Sequence, residues 1–201
     1  MSRDMSNERA RQMVAQETAR IIVNQGIRDY RAAKIKAAER LGLNSRGSLP
    51  GNSEIERAIE DYHQIFGGAS HESWLQTMRG VALGAMQLLC GFSPRLVGPV
   101  LNGTADENTA INLHVFADSA EEVAAQLAAK GINYSTYERR LKSRRDLLSS
   151  YPGYEFLHEG LPVQATIFPV DGIRQAPLSP VNGRPMQRAA AKQVAALTDS
   201  S

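Results

Sequence analysis

Apolar residues in the first half of the chain recur every three or four positions, the spacing that places them on one face of an α-helix. A break at Gly26 separates two such stripes. Their members are Val14, Thr18, Ile21 and Ile22, followed by Ile27, Tyr30, Ala38 and Leu41. The spacing predicts two helices.

Turn-forming residues then fill positions 44–52, and Ser53 with Glu56 three residues later is the pattern of a helix capping box. The third helix that follows is predicted to bury Ile55, Ile59, Tyr62 and Phe66. A second interruption at 67–69 precedes a fourth helix over 70–90, the most apolar of the four. Its predicted core residues are Leu75, Met78, Ala82, Ala85 and Leu89, with Trp74 and Cys90.

From Pro94 onward the apolar runs become short and rich in Val, Ile and Leu, which favours strands. Runs 95–101 and 110–116 are predicted to pair across the polar turn 102–109. Ser119 begins a helix that extends to residue 130 and ends at Gly131. Further strands are predicted at 132–141 and 162–168, with a weaker one at 154–157. A Pro-rich surface excursion over 169–185 and a terminal helix over 186–197 complete the chain.

This order of elements predicts an α/β (α+β) protein with a mixed or antiparallel sheet flanked by helices. An N-terminal helical extension occupies residues 1–67, and the sheet-containing domain, with its C-terminal helix, occupies residues 68–201. A chain of 201 residues is long enough for such a core with a smaller extension.

Composition adds several exclusions. Hydrophobic residues make up 42% and charged residues 22%, and the net charge of +2 is too small to indicate a nucleic-acid or membrane partner by itself. Cys90 is the single cysteine, which excludes a disulfide framework and multi-cysteine metal sites. The polar start of the chain lacks the apolar run of a secretory signal, and no run of about 18 apolar residues occurs. These features predict a cytoplasmic protein with no membrane association.

The segment between the first two predicted strands contains no GxxxxGK[ST] and no GxGxxG, so both common phosphate loops are excluded. It reads GPVLNGTADENTAINL over residues 98–113. This segment resembles the signature of the DNA polymerase β-like nucleotidyltransferases, of which a typical member reads GSRARGTARPDSDIDL. The two align without a gap, and the resemblance covers roughly residues 70–168. It implies the nucleotidyltransferase fold, with Gly98 and Gly103 at the family glycines and Thr104 at the small pair.

This sequence departs from the family pattern at the positions that bind the metal ions and the triphosphate. Family members use the two aspartates of Asp-x-Asp, and a third acid on a later strand, to hold divalent metals. Here those two positions hold Ala110 and Asn112, strand 163–167 contains no acid, and Pro99 replaces the family serine. Alanine offers no metal ligand, and Pro99 has neither a hydroxyl nor an N–H donor. The resemblance therefore implies a degenerate active site with no catalytic residue, no metal ligand and no cofactor.

Two further features supply candidate ligand contacts. His114 lies two residues beyond Asn112 and, in a strand, on the same face. Residues 138–146 contain five lysine or arginine side chains, which could bind phosphate groups. The complete set of candidate ligand-binding residues is Gly98, Gly103, Thr104, Asn112, His114, Arg139, Arg140, Lys142, Arg144 and Arg145.

The sequence thus predicts a nucleotidyltransferase-like protein with a non-catalytic binding or regulatory role and possible recognition of a nucleotide or phosphorylated ligand. Three alternatives stay open. The chain could be an active nucleotidyltransferase that uses Mg²⁺ and recruits Asp106, Glu107 or Asp118. The 139–145 cluster could bind nucleic acid, or the helical half could bind a protein partner or a second copy of the chain.

Overall fold

The computed structural model describes residues 2–27, 29–43, 49–144 and 147–198. The chain divides into two compact units. The first comprises residues 1–71 together with 180–182, and the second comprises 72–179 together with 183–201.

The first unit contains three helices, α1 (Ser2–Gln25), α2 (Tyr30–Arg40) and α3 (Asn52–Tyr62). Asp29 caps α2 by accepting hydrogen bonds from the Arg31 and Ala32 N–H groups. The predicted first stripe is confirmed, since Val14, Thr18, Ile21 and Ile22 are all buried. The three aliphatic members of the stripe belong to a core that also contains Ala15, Ala19, Ala33, Ala37, Ile55, Ala58 and Ile59.

The start of α3 differs from the predicted capping box at Ser53 and Glu56. The carboxylate of Glu54 accepts the Gly51 N–H at 2.6 Å and forms an ion pair with Arg11 at 2.6 Å. The helix therefore begins at Asn52, two residues after Pro50. In the predicted turn 44–52, residues 44–48 lie outside the described residues.

The predicted buried face of α3 is correct at Ile55 and Ile59 and wrong at Phe66, whose side chain is 70% exposed. A π-helical turn, His63–Gly67, follows α3. Because a π-helix has more residues per turn than an α-helix, it rotates Phe66 away from the face that Ile55 and Ile59 share.

Helix α4 (Gly68–Leu88) confirms the fourth predicted helix, with its five predicted core residues buried and Trp74 packed partly buried against them. Cys90, predicted to be core, is exposed. The reason is that α4 ends at Leu88 and Cys90 begins a short 3₁₀ turn, Cys90–Phe92, which leaves the helical spacing.

The second unit is built on a sheet of five strands, in the order β1-β2-β5-β4-β3. Their bounds are β1 (Arg95–Val97), β2 (Ile111–Phe116), β3 (Tyr134–Arg144), β4 (Leu147–His158) and β5 (Leu161–Phe168). Strands β2 and β5 pair in parallel, and the other neighbours are antiparallel. The sheet is therefore mixed and the fold class is α+β, as predicted.

Several predicted bounds change. The run 95–101 is a strand only to Val97, because Gly98 has a φ of 74° and Pro99 begins a single helical turn, α5 (Pro99–Asn102). The weak strand 154–157 is the inner part of the long strand β4. Helix α6 (Ala120–Ala129) is confirmed. The terminal helix α7 (Ala191–Thr198) starts later than predicted, since Ala189 pairs with Leu96 in an extended conformation.

One face of the sheet, called here the covered face, packs against α4 and α6. Strand alternation points Ile111, Leu113 and Val115 to this side, and Val163, Ala165 and Ile167 from the parallel neighbour lie beside them. Leu75, Met78 and Met86 of α4 and Val123 and Leu127 of α6 complete this core.

The opposite face, called here the second face, is covered at one end by the segment after β5. The predicted surface excursion over 169–185 begins with a 3₁₀ turn, Val170–Arg174. Ile173 from this turn packs against a small cluster of Phe116, Leu141, Phe168 and Tyr151. This piece of chain therefore contributes to packing. Among the helices of the described residues, none has the length and apolar character needed to cross a membrane.

Replacing Leu113 by Ala tests the covered face. Leu113 is fully buried in the middle of β2, so we expect the free energy of unfolding to fall by about 2–5 kcal/mol. The matched control is Leu148→Ala in β4, where the side chain is 56% exposed and the change should stay within about 0.5 kcal/mol. Urea denaturation measures both, and equal losses would contradict the assigned burial of Leu113.

Candidate ligand-binding site

A row of polar side chains crosses the second face on three neighbouring strands. Asn112 of β2 is paired with Gln164 of β5, and Gln164 is paired with Glu155 of β4. Because paired residues point to the same side of a sheet, the three side chains lie next to one another. Asn112, Gln164 and Glu155 are called the polar row below.

Arg139 reaches the polar row from the edge strand β3. Its Nη1 donates to Asn112 Oδ1 at 2.9 Å, and its Nη2 donates to Gln164 Oε1. Both acceptors are neutral amide oxygens, and no carboxylate lies within ion-pair distance of Arg139 among the described residues. A guanidinium group has five N–H donors, of which two are used here. Arg139 is partly exposed, and its three remaining donors form no hydrogen bond with any described residue.

The ring of Tyr137 lies between Arg139 and the backbone of β4. It lies over the backbone of Gly153, where an added Cβ would fall 2.3 Å from Cζ of the ring. The phenol shares a hydrogen bond of 2.8 Å with Oγ1 of the buried Thr166, and burial raises the pKa of Tyr137. The Arg139 guanidinium lies 5.4 Å from the ring centroid, within the range of a cation–π contact. Gly153 is the residue that makes this arrangement possible.

His114 is buried beside the polar row, on the side of the sheet that the alternation predicted. Its Nδ1 accepts a hydrogen bond of 3.0 Å from Nε of Arg188, so the proton of the neutral ring is carried by Nε2. Burial, with the nearby charges of Arg188 and Arg139, lowers the pKa of His114 to about 3. His114 is therefore neutral at physiological pH and acts as a structural acceptor.

Arg188 lies at the end of the second face over which the segment after β5 packs. Its guanidinium carbon lies 4.9 and 5.0 Å from the ring centroids of Phe116 and Phe168, and Nη1 donates to the carbonyl groups of Gly172 and Ile173. Burial and the charge of Arg95 lower the pKa of Arg188 to about 10, so the group remains a cation at pH 7. Arg188 and Arg139 are thus two cations on the second face.

The glycine turn contributes less than the sequence suggested. Gly98 has a φ of 74° and approaches Asn112, whose Nδ2 lies 3.7 Å from the position of an added Cβ. The amide groups of Asn102, Gly103 and Thr104 donate to the Gly98 and Pro99 carbonyl groups, at 2.8–3.0 Å. Three N–H groups that could have met a phosphate are thus used inside the turn, and Thr104 is buried.

The predicted cation cluster is divided by the strand. Arg139 lies on the second face, whereas alternation places Arg140 and Lys142 on the other side of β3, where both are exposed. Arg144 ends β3 after a register shift, and Arg145 lies outside the described residues. Among the described side chains of the cluster, Arg139 contacts Asn112, whereas Arg140 and Lys142 point away from it.

The residues present do not fit the divalent metals that the resemblance would imply. Asn112 offers one oxygen, which accepts from Arg139, and the neighbouring position on β5 is the neutral Gln164. Within the described ranges, no group of three or more His, Cys, Asp or Glu residues is arranged to hold a metal ion. Asp106 accepts hydrogen bonds from its own turn, at Asn108 and Thr109.

No family model, no curated protein and no solved structure matches this chain. The function must therefore be argued from the site itself. Glu155, Gln164 and Arg188 were missed by the sequence analysis. Gln164 and Thr166 alternate with apolar residues in β5, and Glu155 lies between the buried Tyr154 and Phe156 in β4, which is the signal that could have identified Gln164 and Glu155. Arg188 reaches the site through tertiary packing.

Replacing Gly153 by Ala tests the support of Arg139. The new Cβ would displace the Tyr137 ring and leave the buried Thr166 hydroxyl without its partner, so we expect a loss of about 1–3 kcal/mol in unfolding free energy. The alkaline titration of Tyr137, followed by ultraviolet absorbance, should move toward lower pH. Gly80→Ala in α4, which has open space at its Cβ position, is the control and should be neutral or slightly stabilising.

Replacing His114 by Asn tests the neutral imidazole. The pKa is about 3 in the folded chain and has an ordinary value of 6.5, so below pH 6.5 the unfolded chain binds more protons and the folded state loses stability. Between pH 6.5 and 4.5 we expect the wild-type protein to lose up to about 2 kcal/mol more than His114→Asn. The other histidines are present in both proteins, so their contributions to the pH dependence of the unfolding free energy cancel in the comparison. The unfolding free energy of each protein is measured by denaturation at several pH values. Parallel curves of this free energy against pH would contradict a neutral, buried His114.

Proposed function

We propose that this protein binds a phosphate-bearing ligand, a nucleotide or another phosphorylated compound, at the polar row, in a binding or regulatory role without nucleotidyl transfer. The observation that carries the proposal is the guanidinium of Arg139, held by the neutral oxygens of Asn112 and Gln164 and lacking a carboxylate partner in the described part of the chain. A partly buried cation in this condition favours an anionic ligand.

The geometry suits phosphate in particular. Two amide oxygens fix the plane of the guanidinium, so its remaining N–H donors are oriented before a ligand arrives. A fixed planar fork matches the oxygens of a phosphate group, with which arginine forms paired, charge-assisted hydrogen bonds. Contact with the Tyr137 ring restricts the side chain further. The site is therefore preorganised for an oxyanion.

The resemblance to nucleotidyltransferases supports the same conclusion. In that family, position 112 would be an aspartate holding a divalent metal, which in turn neutralises phosphate oxygens. Here Asn112 accepts from Arg139 instead, so a side-chain cation stands beside this position. Exchanging a carboxylate for an amide leaves the guanidinium charge free for the ligand. This combination favours phosphate recognition that does not require metal.

The proposed function is tested by comparing Arg139→Gln with Arg140→Gln. The two arginines are adjacent in sequence, but Arg140 is exposed on the other side of β3, which makes it a matched control for net charge. Calorimetric titration with ATP should show binding weakened at least about tenfold in Arg139→Gln and little changed in Arg140→Gln. Added EDTA should leave the affinity unaltered.

Three results would contradict this proposal. Equal affinities of the two variants would remove Arg139 as the anion contact. A requirement for Mg²⁺ or Mn²⁺ would favour the family's metal-dependent mechanism. Transfer of a labelled nucleotide to an acceptor would show that the protein is an enzyme. Thermal unfolding of each variant establishes that a change in binding does not come from loss of the fold.

A further inference from the structure

Among the strand residues whose side chains point to the second face, Glu155 is the acidic one. The other positions on this face in β2, β5, β4 and β3 carry amide, hydroxyl, imidazole, aromatic, aliphatic or guanidinium groups or, at Gly153, no side chain, as the register shows. Glu155 is partly buried and belongs to no ion pair within the described residues. A carboxylate beside an electropositive phosphate site needs a physical explanation.

Gln164 fixes Glu155 relative to Arg139. Its Oε1 accepts from Arg139, and its Nε2 donates to Oε2 of Glu155, so both ends of one amide are used. This pair of bonds sets which way the amide points. The guanidinium and the carboxylate are consequently held at opposite ends of the same side chain, with Glu155 one strand, about 4.8 Å, beyond Gln164.

The second oxygen of Glu155, Oε1, accepts no hydrogen bond from any described residue, and the side chain is partly exposed. An ionised carboxylate accepts hydrogen bonds and donates none. Phosphate oxygens are also negatively charged acceptors, so Glu155 repels them while Arg139 attracts them. A hydroxyl group, in contrast, donates to a carboxylate in a charge-assisted bond.

We propose that Glu155 makes the site selective for phosphate esters that carry hydroxyl groups, such as sugar phosphates or the ribose phosphate part of a nucleotide. The phosphate lies on Arg139, and a hydroxyl of the same ligand donates to Oε1 of Glu155. Phosphates without a suitably placed hydroxyl meet the same cation but also the unpaired negative charge. This inference rests on the proposed function and names the class of ligand for that site.

A purely structural role for Glu155 would be to orient Gln164. Glu155→Gln separates the two roles, because the amide oxygen of the new side chain can still accept from Gln164 Nε2 while the negative charge is removed. The matched control is Glu138→Gln in β3, where the exposed carboxylate points to the other side of the sheet.

The experiment measures the binding of ribose 5-phosphate and methyl phosphate at pH 8, where both esters are dianions. Wild-type protein should bind ribose 5-phosphate more tightly. In Glu155→Gln, ribose 5-phosphate should bind at least about tenfold more weakly, whereas methyl phosphate should bind equally well or more tightly. Glu138→Gln should leave both affinities unchanged.

Changes of the same sign and size for the two esters in Glu155→Gln would overturn the inference, because they indicate a positioning role alone. Equal binding of the two esters to wild-type protein, or no binding of ribose 5-phosphate, would overturn it as well. Arg139→Gln distinguishes this failure from that of the proposed function. If ATP binding depends on Arg139 while the hydroxyl groups of the ester have no effect on affinity, the proposed phosphate site is supported and the proposed selectivity is wrong.

Discussion

The parallel pairing of β2 with β5 is the contact on which both faces of the sheet depend. It places Ile111 beside Val163 and Asn112 beside Gln164, so that apolar residues of both strands face α4 and α6 while their polar residues face the other way. A slip of one residue would exchange these sets, since side chains alternate along a strand. The core and the polar row are thus fixed by the same register.

Features that depend on local pattern could be predicted from the sequence. The spacing of Leu75, Met78 and Ala82 identified α4, and the short apolar runs identified β2 and β5, which together give the fold class. Alternation alone placed Asn112 and His114 on one face. The errors at Phe66 and Cys90 arose where a π-helical turn and a 3₁₀ turn interrupt the helical period, because such changes depend on packing more than on local propensity.

The candidate site depends on strand order, which the sequence does not reveal. Neighbours in sequence often pair in space, which would place β3 beside β2, but two strands, β5 and β4, lie between them. Arg139 contacts Asn112 across this distance, and Gly153 leaves the space that the Tyr137 ring occupies beside it. Position 139 stood out in the sequence as one of a run of cations, and the strand then separated it from Arg140 and Lys142.

The two arginines of the second face show why one is assigned to a ligand and the other to the fold. Arg188 is surrounded by two aromatic rings, two carbonyl groups and the acceptor nitrogen of His114, and its Nη2 is buried without a hydrogen-bond partner among the described residues, so this cation is enclosed by the protein. Arg139 is partly exposed and has two neutral acceptors, one aromatic contact and three donors without a partner among the described residues. The two cations thus differ in accessibility, which is why the proposed ligand is assigned to Arg139 and not to Arg188.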